Sequence, residues 1–347
     1  LTHVGRRSAP FGGESLCLDE NIKMRESQRI KLIRTAIGKV EKSANRKEYK
    51  CMYPDCNLFS IKSHSQQKRH QLQSISENSR IYALNNSLYS IFGDDINELL
   101  VEKTIGEVSR YKGYCNTHDT NIFIPIENGN LNINNPEHNF LLLLRAISFE
   151  YAHKRDMHYK LTELFNKIRD FTSYDILKNF EEHKRGIKLF LDKDAPVYMN
   201  KLYDIYKSRN WSKISYNSFS LNRNLGVSST TCFSPLREKH CEWAVNNLYE
   251  LQPIISLNVV PEYNKTSVAF VWFSEFEKSC DEFIKINKDQ ENILQLLNTY
   301  ILCESEDTCV KPSLWERLNQ SERYEIYRHM SSSHSLSGAD SVPLLLN

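Results

Sequence analysis

The sequence predicts an α+β fold: a small Cys/His-rich module, a central helical region, and a C-terminal antiparallel sheet flanked by helices. Three observations carry this expectation. Two close Cys/His pairs bracket residues 51–118. Apolar residues recur three and four apart from about residue 137 to 209, the period of one helix face. Two Val/Ile/aromatic runs, 254–260 and 266–273, flank Pro-Glu-Tyr-Asn-Lys, a hairpin signal.

Residues 1–23 show no periodicity and read as a leader or an added, disordered segment. The Ser-rich residues 331–347 read as a disordered tail. Met24 opens the first patterned helix, with Ile30, Ile33, Ile37 and Val40 on one face. Its other face is basic: residues 25–50 hold nine Lys or Arg against three Glu, a net charge of +6. Such a face is either solvated or contacts phosphate. Residues 24–128 then form one unit, with strands expected at 57–61, 80–84 and 121–126. A helix is expected over 65–76, and residues 93–106 read as an inserted helix or loop.

The Asn-rich stretch before Pro136 marks a linker. Helices follow through 129–210, with breaks at Thr172-Ser173 and at Asp194-Ala195-Pro196. Residues 211–330 form the α+β part, with one or two strands over 219–232. Helices are expected over 275–286, 290–301 and 313–329.

The chain has 347 residues, 40% of them hydrophobic and 25% charged, with a net charge of +2. That composition is ordinary for a globular protein, and the overall charge names no partner. The longest apolar stretch, residues 140–144, is far below the roughly 18 residues of a membrane span, so no membrane partner is expected. Nine cysteines, an odd number scattered along a long chain, do not resemble a disulfide scaffold. A reducing compartment and cytoplasmic residence are expected.

Close cysteines in such a setting are read first as metal ligands. Cys51 and Cys56 form a C-x4-C pair, and Cys115 and His118 a C-x2-H pair. Thiolates and imidazole suit Zn2+, and four of them close a tetrahedral structural site. The other cysteines lack convincing partners; Cys303 and Cys309 are a weak second pair. Glu150, His153, Asp156 and His158 share a helical stretch, and a solvated polar face explains them better than a metal.

The order of residues here resembles the treble-clef zinc finger of HNH-type nucleases. The quoted elements are the Cys51/Cys56 pair, an apolar strand, Ser63-His64, and Cys115-Asn-Thr-His118-Asp119. The resemblance covers about 75 residues. It implies catalytic roles for His64, as the base acting on the attacking water, and for Asp119, where the family places a metal-binding His. A divalent ion such as Mg2+ would sit there. Ser63 departs from the family's acidic residue, and His118-Asp119 from its Cys-His. His64 could instead cap a helix or replace His118 as zinc ligand, and Asp119 could orient a ligand.

Lys62, Lys68, Arg69, Arg110 and Lys112, interleaved with Tyr111 and Tyr114, suit a nucleic-acid backbone and base stacking. The resemblance therefore implies a metal-dependent nuclease or nuclease-like effector on DNA or RNA, in bacterial anti-phage defence. The alternative is a non-catalytic, zinc-stabilised module that binds nucleic acid or protein within a larger assembly. The C-terminal half could serve a protein partner or a homo-oligomer. No phosphate-cradling Gly loop, dinucleotide fingerprint or nucleophile elbow is present.

Overall fold

Ile33, Ile37 and Val40 fall on one stripe of helix α1 (Glu20–Arg46) and are buried, while Ile30 lies at the exposed rim. The computed structural model describes residues 20–89, 100–127, 131–235, 250–288 and 293–331. Residues 1–19 of the leader, 93–99 of the inserted segment and 332–347 of the tail lie outside these residues, whereas residues 20–23, expected in the leader, open α1. The α1 stripe packs against α3 (Pro136–Ile168), the axis of the molecule. Helix α3 starts where its chemistry dictates. Asn135 accepts from the Glu137 N–H at 2.8 Å, and Pro136 occupies the first turn, where a missing N–H costs nothing. Residues 139–150 of α3 are all buried, so this stretch has neighbours on every side.

Helices α4 (Tyr174–Leu189) and α5 (Ala195–Ser208) follow, with breaks at the expected places. The second break is softened by a wide helical turn, Phe190–Asp194. Helices α3 and α5 cover one face of an antiparallel sheet. Its strands are β2 (Arg80–Leu84), β3 (Leu100–Thr104), β5 (Ile214–Leu221), β6 (Val227–Phe233), β7 (Ile255–Pro261), β8 (Thr266–Phe273) and β9 (Thr308–Val310), in the order β3-β2-β9-β6-β7-β8-β5. Every residue of β6, β7 and β8 is buried, so both sheet faces are covered.

Alternation sorts the side chains. Ala269, Val271 and Phe273 join the α3/α5 core, and Val268, Phe270 and Trp272 join the opposite core. The opposite layer is built from α6 (Glu277–Lys288), α7 (Ile293–Cys303), α8 (Pro312–Glu316) and α9 (Gln320–Ser331). The mixed α+β class is therefore as expected. The 254–273 hairpin is present, its turn tightened to residues 262–265 by the Glu262 N–H donating to Lys265 O at 2.8 Å.

Several local expectations are corrected. Residues 121–126 are helical, within α2 (Asn116–Glu127), because Ile122, Phe123 and Ile126 share one helix face and are buried while Ile124 points out. Residues 57–61 make one isolated bridge, Phe59 to Lys50, and the strand proper is β1 (Lys62–His64). The expected 65–76 helix shrinks to a wide turn, Lys68–Leu72, plus two residues. Its flanks are tied instead to the sheet, through Ser65 and Gln66 to Asp307 and through Gln71 to Ser228. Residues 100–104 form strand β3. The expected 313–329 helix is two helices, because Asn319 and Glu322 cap the second reciprocally at 2.7 and 3.0 Å.

Candidate metal centre and its polar surroundings

Strand β1 pairs antiparallel with β4 (Arg110–Lys112), and α2 begins at Asn116, just after Gly113, Tyr114 and Cys115. A turn at residues 51–56 lies against this hairpin. Its backbone is fixed by Cys51 N–H to Leu58 O (2.8 Å), Cys56 N–H to Tyr53 O (3.2 Å) and Met52 N–H to Gly113 O (2.9 Å). Asp55 takes the left-handed conformation, with φ 62°, that closes the turn. Gly113 is required by close approach: a Cβ there would lie 2.3 Å from the Tyr111 ring. Turn, hairpin and helix start meet at one place.

These parts bring Cys51, Cys56, Cys115 and His118 together, with one ligand atom from each within 4.8 Å of all the others. Cys115 immediately precedes α2 and His118 lies in its first turn, so the C-x2-H spacing places both side chains on one side. A tetrahedral ion with Zn–S of ~2.3 Å and Zn–N of ~2.05 Å implies S···S near 3.8 Å and S···N near 3.6 Å. The observed separations are 3.9 Å for Cys56 Sγ to Cys115 Sγ, 3.5 Å for Cys51 Sγ to His118 Nδ1, and 3.2 Å for Cys115 Sγ to His118 Nδ1. The donor set and spacing fit one metal ion such as zinc.

The surroundings move the two thiols Cys51 and Cys115 in opposite directions. The Cys115 N–H points at Cys51 Sγ, 3.2 Å away. Burial, helped by the Cys115 and Cys56 thiols, pushes the Cys51 thiol up to about 11 despite that N–H and the Tyr53 N–H. At Cys115 burial also raises the thiol, but the His118 and Thr117 N–H groups and the neighbouring thiols more than offset it, and the net shift is downward. An unscreened buried thiol cluster of this kind ionises when a cation enters it. Tyr53 stacks on the His118 ring, with centroids 4.0 Å apart and planes 13° apart, and so fixes the imidazole. This partner carries no sequence signal beyond its place inside the C-x4-C turn.

His64 is not a member of this cluster. Its Nδ1 lies 3.1 Å from Val108 O, which can only accept, so Nδ1 carries the proton and Nε2 keeps its lone pair. Burial, then Arg110, hold the imidazole below its ordinary pKa. Asp119 lies on α2 and is mostly shielded. Burial raises its carboxyl, while the adjacent Ser63 hydroxyl and Arg145 pull it down. Ser63, buried on β1, thus faces Asp119, although its Oγ lacks full hydrogen-bond geometry.

Arg145 was not expected here. It interrupts the apolar run of α3 and is 4% exposed. It pairs with Glu127 at 2.7 Å and lies over the Phe123 ring at 4.3 Å. A charge inside an otherwise buried helix stretch was the available signal.

The basic residues divide. Lys62 opposes Lys112 and His64 opposes Arg110, so all four share one hairpin face. Lys62, Lys68, Arg69 and Arg110 are exposed. Lys112 is committed inside the chain: its Nζ donates to Ala44 O, Asn45 O and Lys47 O at the end of α1. Tyr111 and Tyr114 are buried and unavailable for base stacking. Tyr111 packs edge-on to Phe149, and the Tyr114 hydroxyl bonds Ser148 and Tyr203.

The weaker metal candidates go elsewhere. His153 and Lys154 meet Glu306, and Asp156 meets Lys160. Cys309 is buried in an apolar cluster. Among the described residues no helix is long and apolar enough to cross a membrane. Comparison of the chain with protein-family models, with curated proteins and with solved structures found no match.

Proposed function

We propose that the chain is a zinc-tied, HNH-like nuclease or nuclease-like effector acting on DNA or RNA, in the context of anti-phage defence. What supports this reading is the Cys/His cluster beside the β1–β4 hairpin, with His64 and exposed cations on one hairpin face; Ser63 and Asp119 lie on the other face of β1 by strand alternation. In this reading His64 Nε2 takes the proton from the attacking water. Its lowered pKa keeps it unprotonated at neutral pH. Asp119 is the residue to hold a divalent ion such as Mg2+, which supplies charge neutralisation at a scissile phosphate. Lys62, Lys68, Arg69 and Arg110 hold the backbone, with Lys112 only stiffening the strand beneath them.

The test is incubation of the zinc-loaded full chain with DNA and with RNA, with and without Mg2+. Mg2+-dependent cleavage is expected, and His64→Ala lowers it by about 10²–10⁴-fold while fold and zinc content stay unchanged. Cleavage of neither polymer rejects the nuclease.

Ser63 in place of an acid, and the burial that raises Asp119, favour a second reading: a zinc-stabilised module that binds without cutting. It demands salt-dependent binding that falls when Lys62, Lys68, Arg69 or Arg110 is neutralised.

A further inference from the structure

A cavity of about 380 Å³ opens beside the hairpin, between α1, α3, β4, β9 and the β2–β3 pair. Its volume lies in the roughly 300–1,000 Å³ range of small-molecule sites. The charges around it are not balanced in use. Each lining carboxylate is already engaged. Glu41 meets Lys160 at 3.1 Å and accepts from the Leu88 N–H at 2.7 Å; Asp156 meets the same Lys160 at 3.2 Å. Glu306 meets Lys154 at 2.9 Å and His153 at 3.3 Å. Glu107 accepts from the Thr104 N–H and hydroxyl, and Asp307 is buried under the Ser65 hydroxyl.

The side chains of the lining cations Lys62, Lys103 and Arg110, in contrast, make no ion pair or hydrogen bond among the described residues. Lys103 is the telling one. It is half-buried on β3, opposite Ile81, and burial holds its ammonium below the ordinary value, with Cys309, Glu107 and Glu41 opposing only in part. A desolvated ammonium with no counter-ion is costly to keep. Five carboxylates line the cavity, yet none of them forms an ion pair with Lys62, Lys103 or Arg110. Phe149, Ala152 and Met157 give it an apolar wall suited to a ring.

We propose that this cavity binds a small phosphorylated molecule of nucleotide size, its phosphate held by Lys62, Lys103 and Arg110 and its ring portion against Phe149. The site goes beyond the nuclease reading. Lys103 belongs to neither the metal centre nor the polymer-facing set, and binding here does not depend on cleavage.

The experiment is calorimetric titration of the zinc-loaded full chain with AMP, GMP, inorganic phosphate and adenosine, with melting temperature as a second readout. A mononucleotide is expected to bind and raise the melting temperature, with phosphate at least ten-fold weaker and adenosine silent. Lys103→Met is expected to weaken nucleotide binding ten-fold or more, with unchanged zinc content and an unliganded melting temperature no lower than the parent's. Lys103→Arg retains binding. The proposal is overturned if adenosine binds as tightly as AMP, or if no phosphorylated probe binds at millimolar concentration. It is also overturned if Lys103→Met leaves nucleotide affinity unaltered, or if it weakens an oligonucleotide as much as a mononucleotide, since the cavity is then part of a polymer surface.

Discussion

The Cys/His module and the seven-stranded sheet hold their chains together by different means. Strands β6 to β8 are buried along their whole length, between Leu141–Leu144 and Tyr198 on one side and Phe283, Leu297 and Trp315 on the other. Each fully buried side chain there contributes about 1.5–3 kcal/mol. The module adds Tyr114, Ile122, Phe123 and Ile126 to the α3/α5 core, but its turn and hairpin offer little of this kind. Its hairpin strands are three residues each, its Leu58 and Phe59 are 59% exposed, and Tyr111 sits in a small cluster with Phe149 and Ala152 of α3 and with Met52. Four side chains from two turns 59 residues apart do the work instead. A metal ion in such a set contributes on the order of 10–16 kcal/mol of apparent binding free energy. The lesson is that one region fails gradually as packing is lost, and the other fails at once when a ligand is lost.

The largest expected effect breaks that contrast open. Cys115→Ser removes a thiolate that approaches both Cys56 and His118. Loss of stoichiometric metal and of amide protection over residues 50–64 and 110–118 is expected by hydrogen exchange, while β6–β8 stay protected. Equal loss of protection in the sheet would show that the two regions are one cooperative unit. Next in size, Leu257→Ala opens a cavity in the sheet core and is expected to cost about 2–5 kcal/mol in denaturant unfolding. One bound metal per chain is retained in that variant. A metal-free Leu257→Ala protein would remove the distinction between the regions.

A smaller effect is set by pH at the joint between the two. His153 of α3 is buried beside Glu306, and burial lowers its pKa below the ordinary value, Glu306 opposing. The unfolded chain therefore takes up a proton below about pH 6.5, where the folded one does not. Stability is full above that value and falls as pH drops toward the folded pKa. Melting scans between pH 7.5 and 5 are expected to fall, and less steeply in His153→Gln; identical slopes would remove this assignment. The smallest effect is at a cap. Asn319→Ala takes away the acceptor for the Glu322 N–H and costs about 1 kcal/mol, measurable as a lower melting temperature with no change in metal content.

The same contrast decides what could be read from the residues. The metal ligands were legible because thiolates and imidazole at C-x4-C and C-x2-H spacing have few other uses in one chain. The 254–273 hairpin and the 137–209 helices were legible because their periods are local. Helix α2 was misread, since Ile122, Phe123, Ile124 and Ile126 have strand propensity that burial of one helix face overrides. Strand β9 is three residues long and has no pattern of its own; its paired residues in β2 and β6 lie 79 or more residues away. Tyr111 and Tyr114 looked available because basic neighbours surround them, yet the hairpin alternation and α3 place them inside. Tyr53, Ser63 and Arg145 acquire their roles only through tertiary contact.

The central claim is that Cys51, Cys56, Cys115 and His118 close on one ion. X-ray absorption at the zinc edge of the purified, metal-quantified full chain tests it most directly. One zinc per chain with about three sulfur neighbours near 2.3 Å and one nitrogen near 2.0–2.1 Å is the expected result. A protein without stoichiometric metal, or with a shell of oxygen and nitrogen alone, would contradict it.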